Sequence, residues 1–178
     1  MILSDFDLSS AIKGKRLIVE PFEDELIREN GLDLRLDNEV GRHTVPAEDF
    51  IMDPSNEENI KSAYNIEKNV TEIILKPKEQ VLLTTHEQIA LPDDLMGFVE
   101  LRSTWARHGL SMPPTIIDAG FAGNVTLEVI NNAPYPIKLR HLQRFAHIIF
   151  SKTSSRVTNV YSGQYKGQRG VRLPKPLK

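Results

Sequence analysis

Short apolar runs dominate this chain, and many alternate with polar residues at a period of two. Leu32, Leu34 and Leu36 alternate with Asp33, Arg35 and Asp37, the pattern of a half-buried strand. From Glu72 onward the spacing predicts strands at residues 73–76, 80–85, 98–101, 125–131, 137–139 and 145–151. Pro77, Pro92-Asp93, Gly120, Gly123 and Asn131-Asn132-Ala133-Pro134 punctuate them. Nearer the start, Ser4 and Asp7 form a capping-box pair that opens a helix to about Lys13, which Gly14 ends. A strand follows at residues 16–20, residues 53–70 read as a polar loop with little core of its own, and residues 103–108 are the one plausible helix of the second half. Many short, closely spaced strands predict a mainly β fold, a sandwich, jelly roll or distorted barrel with a few short helices. No internal repeat or coiled-coil heptad is present.

Length makes this one domain, residues 1–160, with a tail at 161–178, in a chain of 178 residues. A chain of this size buries roughly 70% of its unfolded surface, so a real core is expected. The tail holds three glycines among polar donors in Tyr161-Ser162-Gly163-Gln164-Tyr165-Lys166-Gly167-Gln168-Arg169-Gly170. It reads either as a frayed terminus or as a lid that orders over a bound anion, and its two tyrosines favour the lid. The formal charge of −2 gives no bulk attraction to nucleic acid or an anionic membrane. A phosphate site must then be a local cluster of arginines and backbone donors. With no cysteine there is neither a disulfide nor a thiolate ligand. Met1-Ile2-Leu3 runs straight into Ser4 and Asp5 without a basic leader or a long apolar stretch, so a cytoplasmic location is expected.

The chemistry concentrates between Glu100 and Glu128. Arg102-Ser103-Thr104-Trp105-Ala106-Arg107 stands at a strand-to-helix junction, where backbone N–H groups and guanidinium forks suit an anion. The same segment also fits a plain capped surface helix, with Trp105 as a packing residue. In Val125-Thr126-Leu127-Glu128-Val129 the strand period sets Glu128 beside Thr126 and opposite Leu127, either as a solvated glutamate or as a general base inside a pocket. Asp118 belongs to a turn whose glycines, Gly120 and Gly123, permit close backbone approach to a ligand. Pro113-Pro114 leaves carbonyls free to hold a water or an amine. Among the five histidines no pair has the spacing of a catalytic zinc site, and His147 sits in an apolar run that suits a structural role. The Pro-Cys-x-x-Cys set of the zinc nucleobase deaminases is absent, as are phosphate-binding glycine loops and nucleophile elbows.

In combination these segments resemble the dCTP deaminases of the dUTPase-like superfamily, archaeal type. The resemblance rests on Arg102-Ser103-Thr104-x-Ala106-Arg107-x-Gly109-Leu110, Ile117-Asp118-Ala119-Gly120-Phe121-x-Gly123 and Thr126-Leu127-Glu128. Leu3-Ser4-Asp5, Gly31-Leu32-Asp33-Leu34-Arg35-Leu36 and Tyr165-Lys166-Gly167-Gln168-Arg169-Gly170 extend it over nearly the whole chain. It implies a homotrimer of distorted β-barrels or jelly rolls with active sites between subunits and a tail that closes over the triphosphate. It implies hydrolysis of the dCTP 4-amino group to dUTP and ammonia, feeding pyrimidine deoxynucleotide synthesis, with magnesium on the triphosphate and no zinc. Carried over, Glu128 is the general base, Ser103 holds the water and Arg107 orients the site. Arg102, Ser103 and Thr104 meet phosphates, with Trp105 and Ala106 in the same substrate segment. Asp118 bonds the sugar 3′-hydroxyl, Phe121 packs on deoxyribose, and the backbone at Thr126 and Leu127 reads the cytosine edge. Tyr161, Gln164 and Gln168 belong to the closing tail, although Gln164 stands where many relatives carry lysine. The segment before Asp118 lacks the Thr-Ala-Gly pattern of members that also cleave dUTP, which favours deamination alone. A bifunctional deaminase and diphosphatase, a plain dUTP diphosphatase and a nucleotide-binding regulator are the alternatives.

Overall fold

The computed structural model describes residues 1–44, 48–163 and 165–177. Helix α1 (Asp5–Lys13) is followed by strands β1 (Ile18–Glu20), β2 (Ile27–Arg28) and β3 (Gly31–His43), helix α2 (Glu57–Ser62), and strands β4 (Tyr64–Glu67), β5 (Glu72–Leu75), β6 (Gln80–Ala90) and β7 (Leu95–Leu101). Helix α3 (Ser103–Arg107) then leads to β8 (Leu110–Ser111), β9 (Thr115–Ile117), β10 (Ala122–Asn131), β11 (Ile137–Arg140) and β12 (Arg144–Lys152). The main sheet runs β8-β10-β6-β3-β12-β7-β9, with β1 on β6 and both β2 and β4 on β3, while β5 and β11 form a separate pair. Among the described residues every pairing between these strands is antiparallel. The expected mainly β, jelly-roll-like barrel with short helices is what the chain forms.

The capping box predicted at the start is present: Ser4 Oγ accepts the Asp7 N–H, the Asp7 carboxylate accepts the Ser4 N–H, and Gly14 is the C-cap. Strand β3 joins the two parts of the curled sheet. Its first part pairs with β12 and its later part with β6, the latter pairing broken by a register shift between Leu36 and Val40. Such a shift bends a strand and strengthens its twist. The core gathers Leu32, Leu34, Leu36, Leu83, Val99, Leu127, Val129, Phe145, Ile148 and Phe150.

Two expectations fail. Strand β3 is not half-wet: Asp33 and Arg35 are 2% and 8% exposed. Ion pairing makes this possible, because Arg35 Nε donates to Glu87 Oε1 at 2.6 Å, its backbone N–H donates to Glu87 Oε2 at 2.8 Å, and Nη1 donates to Glu23 Oε1 at 2.7 Å. Isolated charges would not survive there; paired and hydrogen-bonded ones do. Nor are residues 53–70 a plain loop, since they contain α2 and β4. The Asn56 side chain caps α2 by accepting from the N–H groups of Glu58 and Asn59, and Ile60 and Ala63 are buried. Among the described residues no helix is long and apolar enough to cross a membrane.

Candidate active site

A second register shift, in β10 between Asn124 and Thr126, decides which way the next residues face. The buried Asn124 side chain bridges the irregularity by donating to the carbonyls of Thr85 at 2.8 Å and Glu87 at 3.3 Å, while the Val125 N–H donates to Thr85 Oγ1 at 2.9 Å. Beyond it the strand period resumes. Leu127 and Val129 enter the core, and Thr126 and Glu128 turn to the opposite face.

That face lines a cavity of about 380 Å³, a size that suits a small ligand. Its lining brings together Glu128, Thr126, Val125, Gln80 and Leu82, Asp118, Phe121 and residues 115–117, Tyr64, and Tyr161, Tyr165, Gln168, Arg172 and Pro174 of the tail. Burial raises the proton affinity of the Glu128 carboxyl above the ordinary glutamate range, against a smaller opposing contribution from its own backbone N–H. The Tyr64 phenol is also held protonated, first by burial and then by the Glu128 charge.

The tail's position follows from specific contacts. Gly120, at φ +86°, lets the tail approach, because a Cβ there would lie 2.0 Å from Val160 Cγ1. The Tyr161 N–H donates to the Ala119 carbonyl at 3.0 Å, and the Tyr161 ring lies 5.9 Å from that of Phe121. Farther on, the Asn124 N–H donates to the Gln168 carbonyl at 3.1 Å. The Gln168 amide donates in turn to the Asn124 carbonyl, the Val171 N–H to Glu39 Oε2 at 3.0 Å, and the Arg172 N–H to Thr126 Oγ1 at 3.3 Å.

Of the residues singled out in the sequence, Glu128, Thr126, Asp118, Phe121, Tyr161 and Gln168 therefore meet in one cavity. The side chain of Leu127 is in the core, although among the described residues its backbone has a strand partner only on the β6 side. Gln164 lies outside the described residues. The 102–107 segment is elsewhere on the chain and lines none of this cavity. Arg102 Nε lies 3.2 Å from Asp33 Oδ2 and its Nη1 donates to the Arg144 carbonyl at 3.3 Å. Trp105 packs on Phe145 at 5.6 Å and donates its indole N–H to the same Arg144 carbonyl at 2.9 Å. Ser103, Thr104, Ala106 and Arg107 are exposed. Sequence reasoning missed Tyr64, Gln80 and Arg172. Tyr64 sits in a four-residue strand too short for a period to register, and Gln80 begins a strand as any polar residue would. Arg172 follows the last recognisable motif of the tail.

A family model described as dCTP deaminase-like matches residues 2–153. The dCTP deaminase of Hyperthermus butylicus is 48% identical over 178 residues, covering 99% of this chain and 99% of its own. That of Saccharolobus solfataricus is 48% identical over 175 residues, covering 98% and 92%. Among solved structures, the 2′-deoxycytidine 5′-triphosphate deaminase of Agrobacterium tumefaciens superposes with a TM-score of 0.65 at 22% identity, over 84% of this chain and 46% of that longer one. A single-residue mutant of the dUTPase of phage 80alpha superposes at 0.51 and 13% identity, over 83% and 96%. These two likenesses concern the fold, which is dUTPase-like.

Proposed function

The chain belongs to the dCTP deaminase-like family, and from that premise we propose that it hydrolyses the 4-amino group of dCTP, giving dUTP and ammonia. One observation carries the reading: Glu128, half-buried and with raised proton affinity, faces a nucleoside-sized cavity. A carboxylate poised nearer neutrality is a better general base than an exposed one. Among the described residues the lining offers no imidazole, and the chain has no cysteine. Glu128 is the carboxylate that this chain offers for water activation.

Glu128 takes a proton from water, and the hydroxide attacks C4 of the pyrimidine. Glu128 passes that proton to N3, then takes the proton of the new C4 hydroxyl and hands it to the amine as the tetrahedral carbon collapses. The C4–N bond breaks, ammonia leaves, and a C4 carbonyl remains. Phe121, Asp118 and Thr126 line the same cavity as Glu128, which supports assigning the Phe121 ring to the deoxyribose, the Asp118 carboxylate to the 3′-hydroxyl, and the backbone at Thr126 and Leu127 to the pyrimidine edge. The triphosphate comes with its magnesium as part of the substrate. Its charge calls for cations, and Arg107 and the 102–104 segment are the candidates.

Those candidates do not reach the Glu128 cavity within one chain. The reading therefore includes a homotrimer in which a neighbouring copy supplies Ser103 and Arg107. Ile116 and Phe98, register partners across β7 and β9, are 54% and 39% exposed. Ile116 also lines the cavity, so an apolar rim of this kind suits a covered surface.

Product analysis tests the reading. Purified protein given dCTP and magnesium is expected to release ammonia and dUTP in equal amounts, and the Glu128→Ala variant none. Pyrophosphate formed from dUTP without ammonia, or a Glu128→Ala variant with undiminished turnover, would overturn it.

A further inference from the structure

Three side chains far apart in sequence meet away from the Glu128 cavity. Asp37 stands in β3 at its register shift, His86 in β6 next to Thr85, the partner of Leu36 at the edge of that shift, and His141 in the turn between β11 and β12. Backbone bonds fix that turn: the His141 N–H donates to the Thr71 carbonyl at 3.0 Å, the Leu142 N–H to the Leu36 carbonyl at 2.9 Å, and the Leu36 N–H to the Gln143 carbonyl at 3.0 Å. Asp37 Oδ1 lies 3.6 Å from His86 Nδ1 and 3.5 Å from His141 Nε2, and the three atoms are all within 4.8 Å of one another. The two rings meet edge to face, 5.6 Å apart, so they do not stack.

These separations are wider than hydrogen bonds of this type, which run about 2.7–3.2 Å. They are close to the ligand-to-ligand distance of a tetrahedral zinc site, roughly 3.3–3.5 Å for bonds of about 2.0–2.2 Å. His141 Nε2 is shielded from solvent and makes no hydrogen bond, an unusual condition for a ring nitrogen unless something else occupies it. The Asn38 N–H donates to Asp37 Oδ1 at 2.9 Å, which orients the carboxylate toward the two rings as the supporting bonds of a metal site do. The side chains are between a quarter and a third exposed, leaving room for a water as fourth ligand.

We propose that Asp37, His86 and His141 form a binding site for one divalent transition-metal ion, of which Zn2+ is the type. Two imidazoles and a carboxylate suit such an ion better than magnesium or calcium. The ion would clasp β3, β6 and the β11–β12 turn where the sheet changes register. None of the three residues lines the Glu128 cavity, so the ion's part is structural and separate from deamination.

Untagged protein stripped with chelator and then titrated with Zn2+ against a chromophoric indicator is expected to take one equivalent per chain with micromolar or tighter affinity. Co2+ in its place should give the intense visible bands of a tetrahedral centre. His86→Ala, His141→Ala and Asp37→Ala should each lose stoichiometric binding while keeping their circular dichroism and dCTP turnover, and Zn2+ should raise the Tm of the parent alone. If an alanine variant does not fold, NMR of the histidine-labelled parent reads the same point: the rings of His86 and His141 shift on Zn2+ addition and the others stay. Binding no tighter than millimolar, binding that persists in all three variants, or shifts spread over all five histidines would overturn the proposal.

Discussion

Arg102 Nε lies 3.2 Å from Oδ2 of Asp33, a side chain that is 3% exposed. Asp33 Oδ1 is 3.0 Å from His147 Nδ1, and Arg144 Nη1 stands 3.8 Å from Oδ2. Strand β3 thus holds, from within the core, the residue at which α3 begins. Removing the carboxylate leaves a partly desolvated guanidinium unpaired, a loss of about 3 kcal/mol in comparable pairs. Asp33→Ala is expected to lower unfolding stability by roughly that much, and Asp33→Asn by less because part of its hydrogen bonding survives. Urea denaturation with a constant m-value checks it, and a change within about 0.5 kcal/mol would mean that the pair does not anchor the segment.

The raised proton affinity of Glu128 has a consequence for stability. Its folded-state pKa lies above the unfolded value because of burial, so the native chain binds more protons than the unfolded one across that interval. The stability that Glu128 contributes is therefore fully present below the ordinary glutamate pKa and is lost as pH rises through the elevated one. At neutral pH the charged side chain costs folding energy that an amide would not. Glu128→Gln is expected to raise Tm at neutral pH, with the gain shrinking on acidification below the ordinary glutamate range, while turnover disappears. Calorimetric scans across the acid-to-neutral range read this directly; a Tm that falls at neutral pH would refute it.

The docked tail lines the same cavity as Glu128, so we expect it to contribute to the burial that raises that carboxyl's proton affinity. Truncation after Val160 removes Tyr161, Tyr165, Gln168, Arg172 and Pro174 from the cavity wall. The expected result is a higher KM for dCTP and an acid limb of the kcat profile displaced toward the ordinary carboxylate range, with little change in circular dichroism. A profile that does not move would show that the tail leaves the carboxyl's surroundings unaltered.

Gly120 offers a gentler perturbation of the same contact. At φ +86° with Val160 Cγ1 in the path of a Cβ, Gly120→Ala is expected to lose about 1–2 kcal/mol and to expose the tail to limited proteolysis. Cleavage no faster than in the parent would argue against the tight approach.

The fold was largely legible because a period of two survives wherever one face of a strand is buried. It misled at β3, where Arg35 and Glu87 neutralise each other inside the molecule and polar letters no longer mean solvent. It was silent at β4, whose four residues, Tyr64 among them, are too few to show a period. Glu128, Asp118 and Phe121, which lie in compact motifs, do line one cavity. The grouping of Asp37, His86 and His141 was not legible, since spacing along the chain reveals metal ligands only when one element carries two of them. What brings these three together is a change of register between strands, which leaves no mark in the sequence.

The separation of Arg107 from the Glu128 cavity makes a decisive experiment possible. If each active site takes Glu128 from one copy and Arg107 from its neighbour, Glu128→Ala and Arg107→Ala are both inactive alone but complementary together. Co-refolding them in equal amounts makes sites at random. A site works when its Glu128 comes from an Arg107→Ala chain and its Arg107 from a Glu128→Ala chain, which happens about one time in four in a closed ring. Mixed protein should therefore regain about a quarter of the parent's activity, and the two variants kept in separate tubes none. A site built within one chain cannot be rescued this way whatever the stoichiometry. Sedimentation of differently sized variants would establish that the copies had exchanged, so that absence of rescue in exchanged oligomers would show that Glu128 and Arg107 do not serve one site from different copies.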